Sequence, residues 1–266
     1  MTEDWSHVRG YGWRPQLPDA RDRIYGARLH AAAPPEVDLR GSMPAVYDQG
    51  QLGSCTGNAI AAAMEYERDR QKLADFVPSR LFIYYNERAL EGTVSSDSGA
   101  AIRDGVKVVN TEGVCPESIW PYDIAMFTVK PHKRCYVAAL KDKAVQYEAI
   151  QTLGDLKDAI ASGLAVVFGF TVYESFESQA VAQTGVMPMP KPGERSVGGH
   201  AVLAVGYSDP KGQVIVRNSW GSTWGDGGYF YMPYQYMTGA ASSSDASPIN
   251  GASLASDFWA LEAVGA

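Results

Sequence analysis

From Thr56 to Leu73 the chain has no proline, a single glycine and many helix formers, and Ala59, Ile60, Ala63 and Met64 form an apolar stripe. Glu65, Glu67, Arg68, Asp69 and Arg70 follow. Apolar positions three and four apart predict an amphipathic helix, here with a buried first half and a wet, charged second half. Cys55 then falls at the helix N-terminus. A second helix is expected from Ser79 to Leu90, with Ser79 as its N-cap, and a third from about Gly99 to Asn110. After Glu148 the period shortens. Leu164 to Phe170, Ala201 to Tyr207, Gln213 to Arg217, Gly228 to Met232 and Phe258 to Val264 are short β-branched or aromatic runs bounded by turn residues, which predicts strands. One helix, Asp155 to Ala161, interrupts them. Gly239 to Asp257, rich in alanine, serine and glycine, is expected to be a mobile surface loop. A helix-rich half followed by a strand-rich half predicts an α+β architecture.

Residues 1–36 show no sustained period and carry Pro15, Pro18, Pro34 and Pro35. Each proline pushes the residue before it out of the helical region, so this extension is expected to be extended or turn-like. Trp5, Tyr11, Trp13 and Tyr25 give it aromatic surface that a disordered tail rarely carries. We therefore expect it to pack on the body in part.

The full sequence has 266 residues and a formal net charge of −7. That length suits one large domain or two closely packed ones. The charge argues against nucleic acid as a partner. No stretch approaches the ~20 apolar residues of a membrane span, so no membrane partner is expected. The polar start, Met1 to His7, lacks the pattern of a signal peptide. The localisation expected is cytoplasmic, or exported by a route without a visible signal.

The three cysteines, Cys55, Cys115 and Cys135, are too few for a disulfide framework. Cys115 and Cys135 are read as two ordinary thiols, with a single bridge as the other reading. Metal binding fits poorly. His132 and Cys135 stand three apart without a second pair to complete a ligand set, so no metal and no cofactor is expected.

The chemistry lies in three strings: Gln49 to Cys55, then Gly198-Gly199-His200-Ala201-Val202, then Asn218-Ser219-Trp220-Gly221. A thiol attacks as the thiolate, and a helix N-terminus with a neighbouring imidazole favours that form. His200 is the candidate general acid and base. Asn218 offers an amide oxygen to hold the imidazole, and Trp220 is placed to shield that bond from water. Acyl transfer develops an oxyanion, which needs donors placed beforehand. The Cys55 backbone N–H and the Gln49 side-chain amide are the candidates. Gly53 removes a side chain where a substrate backbone has to approach. Each residue alone has an ordinary structural reading, as inert core thiol, satisfied core histidine or turn asparagine. The four in one order, with these neighbours, do not.

These strings resemble the papain family of cysteine peptidases, from about residue 37 to the end. Ile119-Trp120-Pro121-Tyr122 and Ser98-Gly99 are softer matches. The resemblance implies a helical left lobe, residues 37–147, and a β-barrel-like right lobe, residues 148–266, with the active site in the cleft between them. It implies Cys55 as nucleophile, His200 as acid/base, Asn218 as orienter and Gln49 as oxyanion donor. The substrate-binding candidates are Gly53, Ser98, Gly99, Gly199, Trp220 and Trp224. A second substrate pocket is expected near Leu164–Phe168, Val197–Gly198 and the loop after Met237. Thr56 stands where the family usually has tryptophan, and Leu52 where it usually has a disulfide cysteine. These departures fit a bacterial branch with a short prosegment. The function implied is an endopeptidase acting on peptide or protein substrates as a monomer, with residues 1–36 restricting the cleft or strapping the body. A transpeptidase or amidase using the same acyl-enzyme, and a catalytically silent peptide binder, are the competing readings.

Overall fold

A computed structural model of the chain describes residues 10–26, 33–74, 76–240, 244–249 and 254–265. In chain order the elements are β1 (Glu36–Asp38), α1 (Cys55–Arg70), α2 (Arg80–Glu91), α3 (Ile102–Thr111), α4 (Lys133–Ala139), β2 (Lys143–Ala149), α5 (Leu153–Ala161), β3 (Val166–Tyr173), α6 (Gln179–Thr184), β4 (Ser196–Ser208), β5 (Gln213–Arg217), β6 (Tyr229–Pro233), α7 (Tyr234–Thr238) and β7 (Ala255–Gly265). Ser79 caps α2 as the sequence suggests, its hydroxyl accepting from the Phe82 N–H. Thr152 and Asp155 close a reciprocal capping box on α5, which satisfies two orphan donors at once.

The strands form an antiparallel sheet in the order β2-β7-β3-β4-β5-β6, with β1 added to β4. Alternation along β3 and β4 divides the core. Val166, Phe168, Phe170 and Val172 join Val202 and Ala204 on one face, packed beneath α5 and α6. Val167, Ala201, Leu203 and Val205 face the other way, against α1 and α3. The period of two thus gives one sheet two cores. A third cluster lies under α2 and α4, around Phe82, Tyr84, Cys115 and Cys135. The fold is the α+β arrangement expected.

Three expectations need correction. The charged half of α1 is not wet: Glu65, Glu67 and Arg68 are all buried, and only the last turn is exposed. Each has a partner there, Tyr47 for Glu65, Arg70 for Glu67, and Asp142 for Arg68. Buried charges survive when paired. Strand structure also begins before Glu148, because β1 and most of β2 lie upstream, and β2 carries the sheet edge beside β7. The stretch Gly239 to Asp257 is not all surface loop. Ile249 and Ala255 are buried, and β7 starts at Ala255. Residues 241–243 and 250–253 of that stretch lie outside those described, as do 1–9 of the extension, Trp5 included, and 27–32. Cys115 and Cys135 are both free thiols.

Glu87 locks α2 to the start of α1. Its side chain is fully buried and accepts from the Thr56 hydroxyl at 2.7 Å. Burial pushes its carboxyl up to about 8, only partly offset by Thr56 and by the charge of Arg88. The folded protein therefore holds this proton in a range where the unfolded chain releases it. Its contribution is complete at acid pH and is lost as pH rises toward 8. Glu87→Gln should remove that slope. In urea titrations at pH 5 and pH 8.5, the unsubstituted protein should lose roughly 4 kcal/mol more than the variant between the two.

Candidate active site

Cys55 opens α1, and its side chain is fully buried. Burial pushes the thiol up to about 11, while the backbone N–H groups of Ala201 and Gly12 pull the other way. Ala201 follows His200 on β4, so the sheet brings the imidazole strand against the sulfur. His200 Nε2 donates to Asn218 Oδ1 at 2.8 Å. That bond fixes Nδ1 as the nitrogen available for proton exchange. Trp220 stacks on the imidazole at 5.0 Å and 27°. Trp224 packs edge-on behind Trp220 among Phe176 and Phe230, buried in the core.

Gln49 lies across from this group. Its backbone N–H donates to the Ser219 carbonyl at 2.9 Å. Its side-chain oxygen accepts from the Ser219 hydroxyl at 2.6 Å. That turns the amide nitrogen outward, where it donates to the Leu52 and Gly10 carbonyls, each at 3.0 Å. The loop carrying Gln49 is held from below. Tyr122 donates to the Gln49 carbonyl at 2.9 Å, and Arg80, stacked on Tyr122, reaches the Asp48 carbonyl. Asp97 accepts from the Gly53 N–H at 2.9 Å and from the Tyr84 hydroxyl. The Ser98 side chain is turned into its own loop, donating to Thr93 and to the Gly99 carbonyl.

The extension occupies this cleft. Gly10 meets Gln49, Gly12 meets Cys55, and the Trp13 N–H donates to the Gly199 carbonyl at 2.9 Å. On the opposite wall Ala100 donates to the Gly12 carbonyl at 2.7 Å, and Arg14 donates to the Ala100 carbonyl at 3.1 Å. Tyr11 sits edge-on to both His200 and Trp220. The approach needs glycines. A Cβ on Gly12 would lie 1.6 Å from the Gly53 carbonyl oxygen, and one on Gly99 2.0 Å from the Gly12 carbonyl oxygen. Gly53, Gly99 and Gly199, candidates from sequence, all touch this strand.

Residues 33–247 match the model of the papain family of cysteine proteases. The chain belongs to that family. It is a cysteine peptidase, a hydrolase of peptide bonds. It is 43% identical to an uncharacterized peptidase C1-like protein of Acanthamoeba polyphaga mimivirus, over 96% of this chain and 88% of that one. It is 32% identical to cysteine proteinase 3 of Entamoeba histolytica, over 87% and 72%. The crystal structure of xylellain, a cysteine protease from Xylella fastidiosa, superposes with a TM-score of 0.84 at 43% identity, covering 96% of this chain and 97% of that one. The proCathepsin B S9 of Trypanosoma congolense shares the fold, with a TM-score of 0.73 at 14% identity. Among the described residues of this peptidase no helix is long and apolar enough to cross a membrane.

Sequence reading missed Ser219, Asp97 and Tyr84. Ser219 lies between two residues already singled out, and its position was the available signal. Asp97 and Tyr84 act across the fold and carry no local signature. The glycine contacts yield a direct test. Gly12→Ala cannot keep the arm seated without displacing the Gly53 backbone. Overpacking of this kind costs about 1–3 kcal/mol, so alkylation of Cys55 by iodoacetamide should accelerate about tenfold or more, with the far-ultraviolet spectrum unchanged.

Proposed function

We propose that this peptidase is an endopeptidase working through a thioester on Cys55, and that residues 10–16 of its own arm keep the cleft closed until displaced. Cys55 Sγ passes its proton to His200 Nδ1 and attacks the substrate carbonyl carbon. The carbonyl electron pair moves to oxygen, where the Cys55 N–H and the Gln49 amide donate to it. The imidazolium then gives its proton to the leaving amine as the C–N bond breaks. Water attacks the thioester with His200 as base, and the proton returns to sulfur as the C–S bond breaks. Asn218 holds the imidazole through Nε2–H, and Trp220 covers that bond, which a drier setting strengthens.

One observation carries this reading: the Gly10 carbonyl oxygen lies 3.0 Å from Gln49 Nε2. A peptide carbonyl rests on the donor that the oxyanion needs. The Gly12 backbone hydrogen-bonds to the sulfur. The arm thus fills the site next to the sulfur. Its side chains grip both lobes, with Tyr11 bonded to Glu177 and Arg14 to Glu91.

Cys55→Ala should abolish hydrolysis of a fluorogenic peptide. Gln49→Ala should lower kcat about 10²–10³-fold, the usual loss for one oxyanion donor. Removing residues 1–26 should raise kcat/KM on small and large substrates alike by about tenfold or more, as expected when an intramolecular ligand is withdrawn. Rate constants unchanged by that truncation would show the arm to be only a strap.

A further inference from the structure

Two thiols take no part in the proposed peptide hydrolysis. Cys115 and Cys135 are both buried in the cluster under α2 and α4. Cys115 is held at the α2 cap, where its carbonyl accepts from the Ser79 N–H at 2.8 Å. Cys135 lies in the first half of α4. Their side chains meet, with the Cys115 S–H donating to the Cys135 sulfur.

The surroundings of the two sulfurs differ. His132 Nδ1 lies 3.0 Å from Cys135 Sγ. Arg134 Nε–H donates to His132 Nε2 at 3.1 Å. A ring nitrogen that accepts carries no proton, so in the neutral imidazole the proton sits on Nδ1 and points at the sulfur. Trp120 stands edge-on to this ring at 5.4 Å and holds its plane. The backbone N–H groups of His132 and Cys135 also donate to Cys135 Sγ. Donors therefore converge on one sulfur of the pair. A thiol that only fills core space needs none of them. Burial pushes both thiols up, but the bond between them raises Cys115 further and lowers Cys135, as the Arg134 charge also does. Cys135 is the sulfur that ionises first. It lies just under the exposed His132 and Arg134, and Cys115 lies deeper. A donor-rich thiol near the surface, with a second thiol in contact, is the arrangement that favours reversible oxidation.

We propose that Cys135 and Cys115 form a reversible redox pair, in which Cys135 reacts with a hydroperoxide and Cys115 resolves the product to a disulfide. Cys135 gives its proton to solvent, and its sulfur attacks a peroxide oxygen. The O–O bond breaks, and with hydrogen peroxide the leaving oxygen takes up a proton and departs as water, which leaves a sulfenic acid on Cys135. The Cys115 sulfur then attacks the Cys135 sulfur. The S–O bond breaks, and the departing hydroxide leaves as water with the Cys115 proton. The two thiols together lose two electrons, and the peroxide is reduced to two waters. His132 Nδ1–H steadies the negative charge on Cys135 before the attack. The loop so closed contains Trp120, whose carbonyl accepts from the Ser79 hydroxyl at 2.7 Å, and Tyr122, which donates to the Gln49 carbonyl. Oxidation thus fastens to α4 the segment that supports the Gln49 loop.

The full chain carrying Cys55→Ser isolates the pair, since no other cysteine remains. Hydrogen peroxide should remove two hydrogens from its mass, join the peptides of Cys115 and Cys135 in a digest, and raise Tm by about 5–10 °C. Dithiothreitol should reverse all three. With Cys115→Ser added, dimedone should trap a sulfenic acid on Cys135. With Cys135→Ser added instead, Cys115 should stay unlabelled. His132→Ala should slow disulfide formation about tenfold, the value of one hydrogen bond to a charged group. The reduced form of that variant should keep its Tm within about 2 °C, as for a surface substitution. Oxidation that runs to sulfinic acid without joining the peptides, dimedone on Cys115 rather than Cys135, or a rate indifferent to His132 overturns the proposal. The digest of Cys55→Ser alone decides the pairing even where a second substitution prevents folding.

Discussion

The paired hydrogen bonds between Gln49 and Ser219 join the two halves of the proposed catalytic group. Ser219 gives its carbonyl to the Gln49 backbone and its hydroxyl to the Gln49 side chain. Its own N–H goes to Asn218 Oδ1 at 2.8 Å, the oxygen that also holds His200. One residue therefore positions both the proposed oxyanion donor and the proposed imidazole orienter. All four residues are buried, and in that low dielectric a satisfied network is rigid while a broken one is costly. Tyr122 and Arg80 fix the Gln49 loop from the helical side, and β5 fixes Asn218 from the sheet side. The two lobes meet where neither alone has a complete site.

The arm exploits that seam. It contributes backbone to both walls and side chains to both lobes, so its occupancy also staples them together. Being part of the same chain, it acts at high effective concentration. Its exposed ion pairs add little. Its buried contacts matter more: the Trp13 and Gly12 backbone bonds, the Tyr25 hydroxyl on buried Asp158 at 2.7 Å, and the indole over Gly169. The close approach of glycine to glycine at Gly12, Gly53 and Gly99 makes the fit specific, since no larger residue passes there. In the proposed closed state the arm lies where a substrate would bind.

Much of this was legible in residue order. The apolar stripe of α1 located Cys55 at a helix start, Ser79 announced the α2 cap, and Gln213 to Arg217 is the strand β5 to the residue. The four residues of the proposed catalytic group were legible because each lies in a distinctive local string. The buried charges of α1 were not, since their partners Tyr47 and Asp142 come from elsewhere in the fold. The strand β2 was missed because its mixed sequence, Lys143 to Ala149, becomes a strand only by pairing with β7. Asp257 fell in a stretch whose composition suggests a loop, and its bond to Trp13, 244 residues away, leaves no local trace.

Sequence alone determined the fold class, the family and the candidate nucleophile, because those rest on local periodicity and on short strings whose chemistry is self-contained. Tertiary structure alone decided what covers Cys55, how Ser219 couples Gln49 to Asn218, and which glycines let the arm approach. Those depend on distances between residues far apart in the chain. Such distances are set by how a twisted sheet packs on a helix, and no local pattern encodes them.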